Sequence, residues 1–327
     1  MKIAINHCAI ILTSKRTKKN LIVAGYKAHV SVVFKRVLKI EYINVVGVFT
    51  GEDDNFCLLN EKPIKELAKE ARINVYKCED LTKEKLESIS KKTKIDILVL
   101  VEWRNLIPES VYSFPSYGTY NIHDSLLPKY RGSSPMNWAI INGELNTGAT
   151  FCRVEKRADT GDIYSQKKIS INAEDYAIDV LNKMIKAFAD VAEAGLNAVF
   201  TEKAPIKQDE NEATYCAKRL PEDGLLDFNS QCLQIYNEIR ALSDPFPGAF
   251  AYYGGSKVVI KRASVVERDY NYVGFIPGYL LRTDNIWVLC KGGILSIEEI
   301  EVFKDGIMIT GPQDFFTDKS LRLTSNP

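Results

Sequence analysis

An asparagine, a histidine and an aspartate form the most specific chemical pattern in this sequence. Asn121 and His123 lie two residues apart at the end of an apolar stretch that predicts a β-strand, so both side chains project from the same face. Residues 125–133 (SLLPKYRGS) follow directly, and their Leu-Leu-Pro turn and glycine would fold a loop over that face. Asp159 lies downstream. Because this group contains no serine or cysteine nucleophile, the pattern indicates acid–base-assisted transfer without a covalent enzyme intermediate.

Each of these residues also has a purely structural interpretation. A lone histidine near a strand end is more often a hydrogen-bonded structural residue, but the Asn-x-His spacing and the loop that follows favour catalysis at His123. Asp159 begins the run 159–162 (DTGD), which by itself predicts an ordinary Asx turn. The sequence pattern therefore supports Asn121 and His123 more strongly than Asp159.

The segments around this group alternate between strands and helices. They are a strand at 21–25, a helix at 30–38, a strand at 43–49, a helix opened by Pro63 and a strand at 95–101. Such alternation predicts an α/β fold with a Rossmann-like, doubly wound and mostly parallel sheet. The next strand, 117–122, contains Asn121 and leads into His123, and ligands of these sheets bind beyond the carboxyl ends of the strands.

The character of the sequence changes after residue 200. A long helix at 177–200 precedes a polar stretch, 201–214, that is typical of a linker. Beyond it, a helix at 231–242 and short alternating runs at 249–266, 286–289 and 294–300 predict a small OB-like β-barrel. We therefore predict a catalytic domain at 1–203, with 1–20 an extension of unknown role, and an OB-like domain at 204–327.

The composition argues against several other classes of protein. A net charge of +1 over 327 residues gives no electrostatic argument for binding nucleic acid or an anionic membrane. Seven scattered cysteines without a C-x-x-C pair are typical of buried thiols rather than of a metal or redox site, and three histidines argue against a His-rich metal site. The apolar run at 8–12 is too short to span a membrane. We expect a cytoplasmic protein without a metal.

The segment 121–132, taken with 157–161 (RADTG), resembles the formyltransferases that use 10-formyltetrahydrofolate. The resemblance extends over about residues 21–265, because 210–214, 220–223 and 239–249 are similar to the second half of the tRNA and sugar enzymes of this family. Within the family the sequence is most similar to the formyltransferase part of the bifunctional enzyme that modifies UDP-4-amino-4-deoxy-L-arabinose. The dehydrogenase part of that enzyme has no counterpart here, so we expect formylation alone.

This resemblance implies transfer of a formyl group from 10-formyltetrahydrofolate to the amine of a nucleotide-linked 4-amino-4-deoxy sugar. UDP is the favoured nucleotide, and the sugar is either of the arabinose type or a 4,6-dideoxyhexose, including the pseudaminic-acid type. The family further implies a homodimer that supplies cell-surface polysaccharide biosynthesis.

The main alternative is a methionyl-tRNA formyltransferase. The tRNA enzymes carry a basic insertion in the loop after the second strand, whereas residues 50–56 (TGEDDNF) are acidic here and would repel a phosphate backbone. We therefore expect a nucleotide sugar and no nucleic acid as partner. A non-catalytic relative and a folate-dependent hydrolase are weaker alternatives, because Asn121, His123 and Asp159 are retained together and the hydrolases' small N-terminal regulatory domain has no counterpart.

The resemblance also implies roles for individual residues. His123 would take the amine proton and pass one to the departing folate nitrogen, and Asn121 would donate to the oxyanion. Asp159 would orient His123 and hold its charged form, or position a proton-relaying water. Asp124 stands where relatives usually have a small residue, so its carboxylate could perturb His123 or touch substrate.

Two further groups of residues follow from the resemblance. The folate site is implied at two loops: Trp103, Arg104, Asn105, Leu106 and Ile107, and Arg153, Val154 and Glu155. Sugar and nucleotide contacts are implied at Lys129, Arg131, Ser133, Pro135 and Asn137. Arg131 could instead be an internal brace of its loop.

Overall fold

The structure, a computed structural model, describes residues 17–51, 61–266, 272–282, 285–304, 307–318 and 321–326. Most of the N-terminal extension and of the acidic loop after the second strand lie outside these ranges, so the predictions for both remain predictions. In the described part of the chain, no helix is long and apolar enough to cross a membrane.

Strands and helices alternate through the N-terminal half in the predicted order. The elements are β1 (Lys19–Gly25), α1 (Lys27–Val37), β2 (Ile43–Thr50), α2 (Ile64–Glu70), β3 (Val75–Lys77), α3 (Lys83–Ser90), β4 (Ile97–Val101), α4 (Glu109–Tyr112), β5 (Thr119–His123), β6 (Arg131–Gly132), α5 (Pro135–Ile141), β7 (Asn146–Arg153), β8 (Ile163–Ser170) and α6 (Ala177–Phe200). The main sheet has the order β3-β2-β1-β4-β5-β7-β8. Its first five strands are parallel, and β7 and β8 are antiparallel. The predicted Rossmann-like, mostly parallel sheet is confirmed.

The centre of this sheet is apolar on both faces. Every residue of β4 is buried, as are the last five of β1, which is the pattern expected of parallel strands covered by helices on either side. The long helix α6 packs on β7 and β8. Gly195 permits this close approach, because a Cβ there would lie 2.3 Å from the ring of Phe151 on β7.

The C-terminal part consists of a short strand, a helix and an antiparallel β-sheet. Its elements are β9 (Tyr215–Cys216), α7 (Cys232–Leu242), β10 (Ala249–Tyr253), β11 (Ser256–Val265), β12 (Leu280–Arg282), β13 (Ile286–Cys290), β14 (Gly293–Lys304), β15 (Ile307–Ile309) and α8 (Pro312–Phe315). Strands β10 to β15 form one sheet in the order β10-β11-β14-β13-β12, with β15 on β14. Gly254 and Gly255, both with positive φ, make the two-residue turn between β10 and β11. The predicted OB-like β domain is confirmed.

The stretch 201–214 connects the two halves of the chain and also leads into a strand that pairs with the N-terminal half. It leads directly into β9, which pairs with β6, so that Arg131 lies opposite Tyr215 and Gly132 opposite Cys216. Helix α7 also packs on α5, and buried Arg240 donates to the Asn172 and Asp175 carbonyls just before α6. A domain boundary at residue 203 remains a prediction.

Candidate active site

The carboxyl ends of β4 and β5 open into a cavity of about 720 Å³. Asn121 and His123 line it from β5, and Asp159 lines it from the turn that follows β7. Strand β5 is held between β4 and β7, with Asn121 opposite Leu100 on one side and Cys152 on the other. The side chains of Asn121 and His123 therefore project to the same side of β5, a strand that is hydrogen-bonded along both edges.

The three predicted catalytic residues lie within interaction distance of one another. Asp159 Oδ1 lies 3.6 Å from His123 Nδ1 and accepts a hydrogen bond of 3.4 Å from Asn121 Nδ2. The other carboxylate oxygen, Oδ2, accepts from the backbone N–H of Gly132 at 3.0 Å. The carboxylate thus connects the imidazole, the amide and the loop that follows β5.

The hydrogen bonds of His123 define which ring nitrogen is available for chemistry. Nε2 lies 2.8 Å from the carbonyl oxygen of Tyr130, and a carbonyl can only accept, so Nε2 carries a proton. Nδ1 is therefore the nitrogen that gains and loses a proton in the cavity. Burial by itself lowers the pKa of the imidazole, but the carboxylates of Asp159 and Asp124 and the hydrogen bond to the carbonyl outweigh it and raise that pKa above its ordinary value.

Tyr130 is fixed in place at each of its polar groups. Its N–H donates to Thr214 Oγ1 at 2.8 Å, and its hydroxyl donates to Glu144 Oε1 at 2.7 Å. Burial, with the adjacent Glu144, raises the pKa of the Tyr130 hydroxyl to about 12, so it remains a donor at neutral pH. These contacts hold the carbonyl that bonds to His123 although Tyr130 has the left-handed φ of 59°.

Strained backbone is concentrated around the cavity. Of the six non-glycine residues with positive φ in the described ranges, Glu102, Ser134 and Asp159 line the cavity and Tyr130 bonds to His123. Such conformations cost about 1–3 kcal/mol each and persist where surrounding contacts enforce them.

Both loops predicted to hold the folate lie on the cavity wall. All eight residues named from the resemblance line it: Trp103, Arg104, Asn105, Leu106, Ile107, Arg153, Val154 and Glu155. The backbone N–H groups of Arg153 and Val154 already donate to the carbonyls of Asp162 and Thr119, so these two cannot recognise a ligand through their amides.

The wall near these loops carries apolar and aromatic side chains. Trp103, Ile107 and Val154 pack against the same buried apolar cluster, and the centre of the Trp103 ring lies 5.7 Å from that of the Tyr26 ring. Among the described residues, the buried polar atoms that line the cavity without a hydrogen-bond partner include the indole N–H of Trp103 and Oδ1 of Asn121. A donor and an acceptor are therefore available to a ligand on this wall.

Within the described ranges, no group of three or more His, Cys, Asp or Glu side chains could hold a metal ion.

The predicted substrate contacts divide into two sets. Ser133, Pro135 and Asn137 line the cavity, although Asn137 Nδ2 is already bonded to the Ala241 carbonyl in α7. Lys129 is exposed and Arg131 is fully buried, and neither lines the cavity.

The contacts of Arg131 bear on its two sequence-based interpretations, substrate contact and internal brace. All five N–H donors of its guanidinium are used by Gln208, Glu210 and Tyr215, at 2.8–3.1 Å. Arg131 is thus the internal brace that the sequence left open. Lys129 is exposed and is not among the residues that line the cavity.

Sequence reasoning missed several residues of the cavity wall. Lys218 reaches it because β9 pairs with β6, and Phe246 reaches it from the C-terminal half. Arg157 and Glu102 flank the predicted residues in sequence. His29, which the sequence alone could place either near the folate or sugar pocket or at the surface, is 2% exposed in α1 and lines the cavity. Proximity in sequence could have suggested Arg157 and Glu102, whereas Lys218 and Phe246 depend on long-range pairing and packing.

Solved structures with a similar fold include formyltransferases. The chain is 18% identical to an N-formyltransferase from Helicobacter canadensis in complex with folinic acid and dTDP-3-aminofucose, with 86% of this chain and 99% of that chain covered and a TM-score of 0.67. It is 20% identical to WlaRD, a sugar 3N-formyl transferase solved with dTDP and 5-N-formyl-THF (86% and 97% covered, TM-score 0.63). It is also 20% identical to a methionyl-tRNA formyltransferase from Clostridium thermocellum (88% and 99% covered, TM-score 0.54).

These likenesses show a shared fold, and two family matches go further. Residues 219–316 match the C-terminal domain of formyl transferases, and residues 20–196 match the formyl transferase family itself. Since the second of these matches covers more than half of the sequence, the chain belongs to the formyl transferase family.

Proposed function

We propose that the protein transfers a formyl group from 10-formyltetrahydrofolate to the amine of a nucleotide-linked amino sugar. The observation that carries this proposal is the arrangement of Asn121, His123 and Asp159 at one wall of the cavity, with Nδ1 of His123 as its titrating atom. Family membership supports the formyl transfer. Two similar structures whose ligands include dTDP-3-aminofucose and dTDP support the substrate class.

The residues of the site divide the chemistry of transfer between them. The folate, when bound, supplies the formyl carbonyl and a nitrogen leaving group. The amine must lose a proton, and His123 Nδ1 is positioned to take it, a step worth about 10²–10⁴-fold in rate. One N–H of Asn121 Nδ2 is bonded to Asp159, which leaves the other for the negative charge that develops on the formyl oxygen. Asp159 then stabilises the imidazolium through Oδ1.

The distribution of charge in the cavity supports an amino sugar linked to a diphosphate. Asp124 and Glu102 line the cavity and act electrostatically on His123, so they favour a positively charged amine near it. Lys218 and Arg157 line the same cavity and provide cations for a diphosphate. A ligand that carries both an amine and a diphosphate is compatible with this set of charges.

The identity of the sugar is a finer proposal. The resemblance to the arabinose-modifying enzyme supports a UDP-linked 4-amino-4-deoxy sugar, whereas the nucleotide sugar named for the Helicobacter canadensis enzyme is a dTDP-linked 3-amino sugar. We place the UDP-linked 4-amino sugars first and the dTDP-linked sugars second. A homodimer in the cytoplasm that supplies cell-surface polysaccharide also follows from the resemblance and belongs to the proposal.

A turnover screen tests this function. Purified protein with 10-formyltetrahydrofolate is offered UDP-, dTDP- and GDP-linked 3- and 4-amino sugars and, separately, charged initiator tRNA, and release of tetrahydrofolate is followed. We expect turnover with one nucleotide sugar, loss of turnover in His123→Ala, and normal turnover in Lys168→Ala, a substitution of an exposed side chain on β8 outside the cavity.

Turnover with the tRNA alone would refute the proposal. A methionyl-tRNA formyltransferase is among the similar structures, and the acidic loop that argues against this activity lies mostly outside the described residues. The tRNA arm of the screen therefore tests the alternative directly.

A further inference from the structure

The segment between α6 and β9, which the sequence presents as a linker, contacts both loops of the active site. Gln208 provides the central contact. Its side-chain Nε2 donates to the carbonyl oxygens of Asp159, at 2.8 Å, and Gly161, at 2.7 Å. Its Oε1 accepts from Nε and Nη2 of Arg131 at 3.1 and 2.8 Å. The side-chain amide of Gln208 therefore makes four hydrogen bonds: it donates two to the turn that carries Asp159 and accepts two from Arg131 in the loop after β5.

On one side, Gln208 holds the turn that carries the Asp159 carboxylate. Asp159 has a φ of 56°, a conformation that costs a non-glycine residue free energy and needs contacts to enforce it. Gly161, two residues later, lies so close to β7 that a Cβ would be 2.0 Å from the carbonyl oxygen of Arg153. Gln208 bonds to the carbonyls of both residues, so it fixes the turn on the side remote from β7.

On the other side, Gln208 holds the loop that follows His123. Arg131 belongs to this loop, and its guanidinium is fully buried between Gln208 and Glu210. The backbone N–H of the next residue, Gly132, donates to Asp159 Oδ2 at 3.0 Å, and the carbonyl of the preceding residue, Tyr130, bonds to His123 Nε2. The two loops thus meet at the Asp159 carboxylate and again at the Gln208 amide.

We propose that Gln208 is a positioning residue for catalysis, which holds the Asp159 turn against the Arg131 loop and so keeps the Asp159 carboxylate beside His123 Nδ1. Gln208 does not line the cavity and would touch neither substrate. It acts through Asp159, and its kinetic consequences rest on the proposed function. Loss of the amide frees a strained turn, and a carboxylate displaced by about 1 Å can cost about 10²-fold in rate.

Two substitutions separate the contacts of the amide. Gln208→Ala removes all four contacts. Gln208→Glu retains acceptors for Arg131 but places a carboxylate against the carbonyls of Asp159 and Gly161, where both hydrogen bonds are lost. Glu212→Gln is the matched control, because Glu212 belongs to the same segment and is exposed.

The first readout is the protonation of His123 in the free protein, which needs no substrate. The chain has three histidines, so the His123 signal in a histidine-labelled NMR titration is assigned by its absence in His123→Asn. We expect the pKa of His123 to fall by about one unit or more in Gln208→Ala and Gln208→Glu, because the carboxylate that favours the charged imidazole has moved away. Glu212→Gln should titrate as the wild type does.

The second readout is a double-mutant cycle in kcat/KM. We expect Gln208→Ala to lower kcat/KM by about 10²-fold in the wild-type background and to have almost no further effect in Asp159→Asn, since its influence passes through that carboxylate. An unchanged His123 pKa in a folded Gln208→Ala protein overturns the proposal, and so does an equal loss in both backgrounds. If the wild type turns over no nucleotide amino sugar, the proposed function fails, while the NMR titration still decides the role of Gln208.

Discussion

Substitution of Asp159 by asparagine isolates the charge that the structure places beside His123. The change keeps the size of the side chain and removes a negative charge whose oxygen lies 3.6 Å from Nδ1. At an effective dielectric constant of about 20, two unit charges at that distance interact by about 4–5 kcal/mol, equivalent to about three pKa units. This is an upper limit, because the charge is divided between two oxygens that also accept hydrogen bonds from Asn121 and Gly132.

We therefore expect the pKa of His123 to fall by about one to three units in Asp159→Asn. Burial lowers the pKa of His123, and without the Asp159 charge fewer interactions offset that effect. The pH dependence follows from the sign of that shift. His123 must be neutral to take the amine proton, so wild-type kcat/KM should decline as pH falls through the raised pKa, and the variant's decline should move to lower pH.

The expected loss of rate is smaller than in Ser-His-Asp enzymes. There, replacing the aspartate by asparagine costs about 10⁴-fold because the histidine adopts the wrong tautomer. Here the Tyr130 carbonyl fixes the tautomer, so we expect about 10²-fold. The assay is the histidine NMR titration of the purified protein, paired with kcat/KM against pH. A His123 pKa within about 0.3 unit of the wild-type value would refute the reasoning, because it would mean that Asp159 exerts no charge effect on the imidazole.

Three further substitutions test separate parts of the site. Asn121→Ala should lower kcat by about 10²–10³-fold with little change in KM, because one oxyanion donor is lost, and a rise in KM alone would contradict this role. Asp124→Ser should lower the pKa of His123, so that the acid limb of kcat/KM moves to lower pH, and a profile superimposable on that of the wild type would exclude the electrostatic effect. Arg131→Lys should lower the free energy of unfolding, measured with urea, by about 1–3 kcal/mol, since the three donors of an ammonium replace the five that bond to Gln208, Glu210 and Tyr215. A loss of nucleotide-sugar affinity without loss of stability would instead return Arg131 to substrate binding.

The parts of this protein that the sequence predicts are those governed by local patterns. Apolar runs that alternate with helical segments predict the sheet, because the burial pattern of each strand is encoded in its own residues. The i, i+2 spacing of Asn121 and His123 places both side chains on one face of β5 independently of the rest of the chain. The turn between β10 and β11 is likewise encoded by its own glycine pair.

The parts that the sequence does not predict depend on contacts between distant residues. Arg131 lies in a segment that resembles a substrate-binding loop, and nothing local shows that Gln208 and Glu210, some 80 residues later, enclose its guanidinium. The same pairing of β6 with β9 brings Lys218 to the cavity. A polar stretch is expected to be a solvated linker, and only the paired strands reveal that this one contacts the active site.

Transfer of an isotope-labelled formyl carbon tests the central claim most directly. Folate carrying a carbon-13 formyl group is incubated with the protein and either a nucleotide amino sugar or charged initiator tRNA, and the product is examined by NMR. We expect the label in a formamide on the sugar nitrogen, and its absence when His123→Asn replaces the wild type. Three outcomes would contradict the account: recovery of the label as free formate, label on charged initiator tRNA alone, or equal transfer of the label to the sugar by His123→Asn.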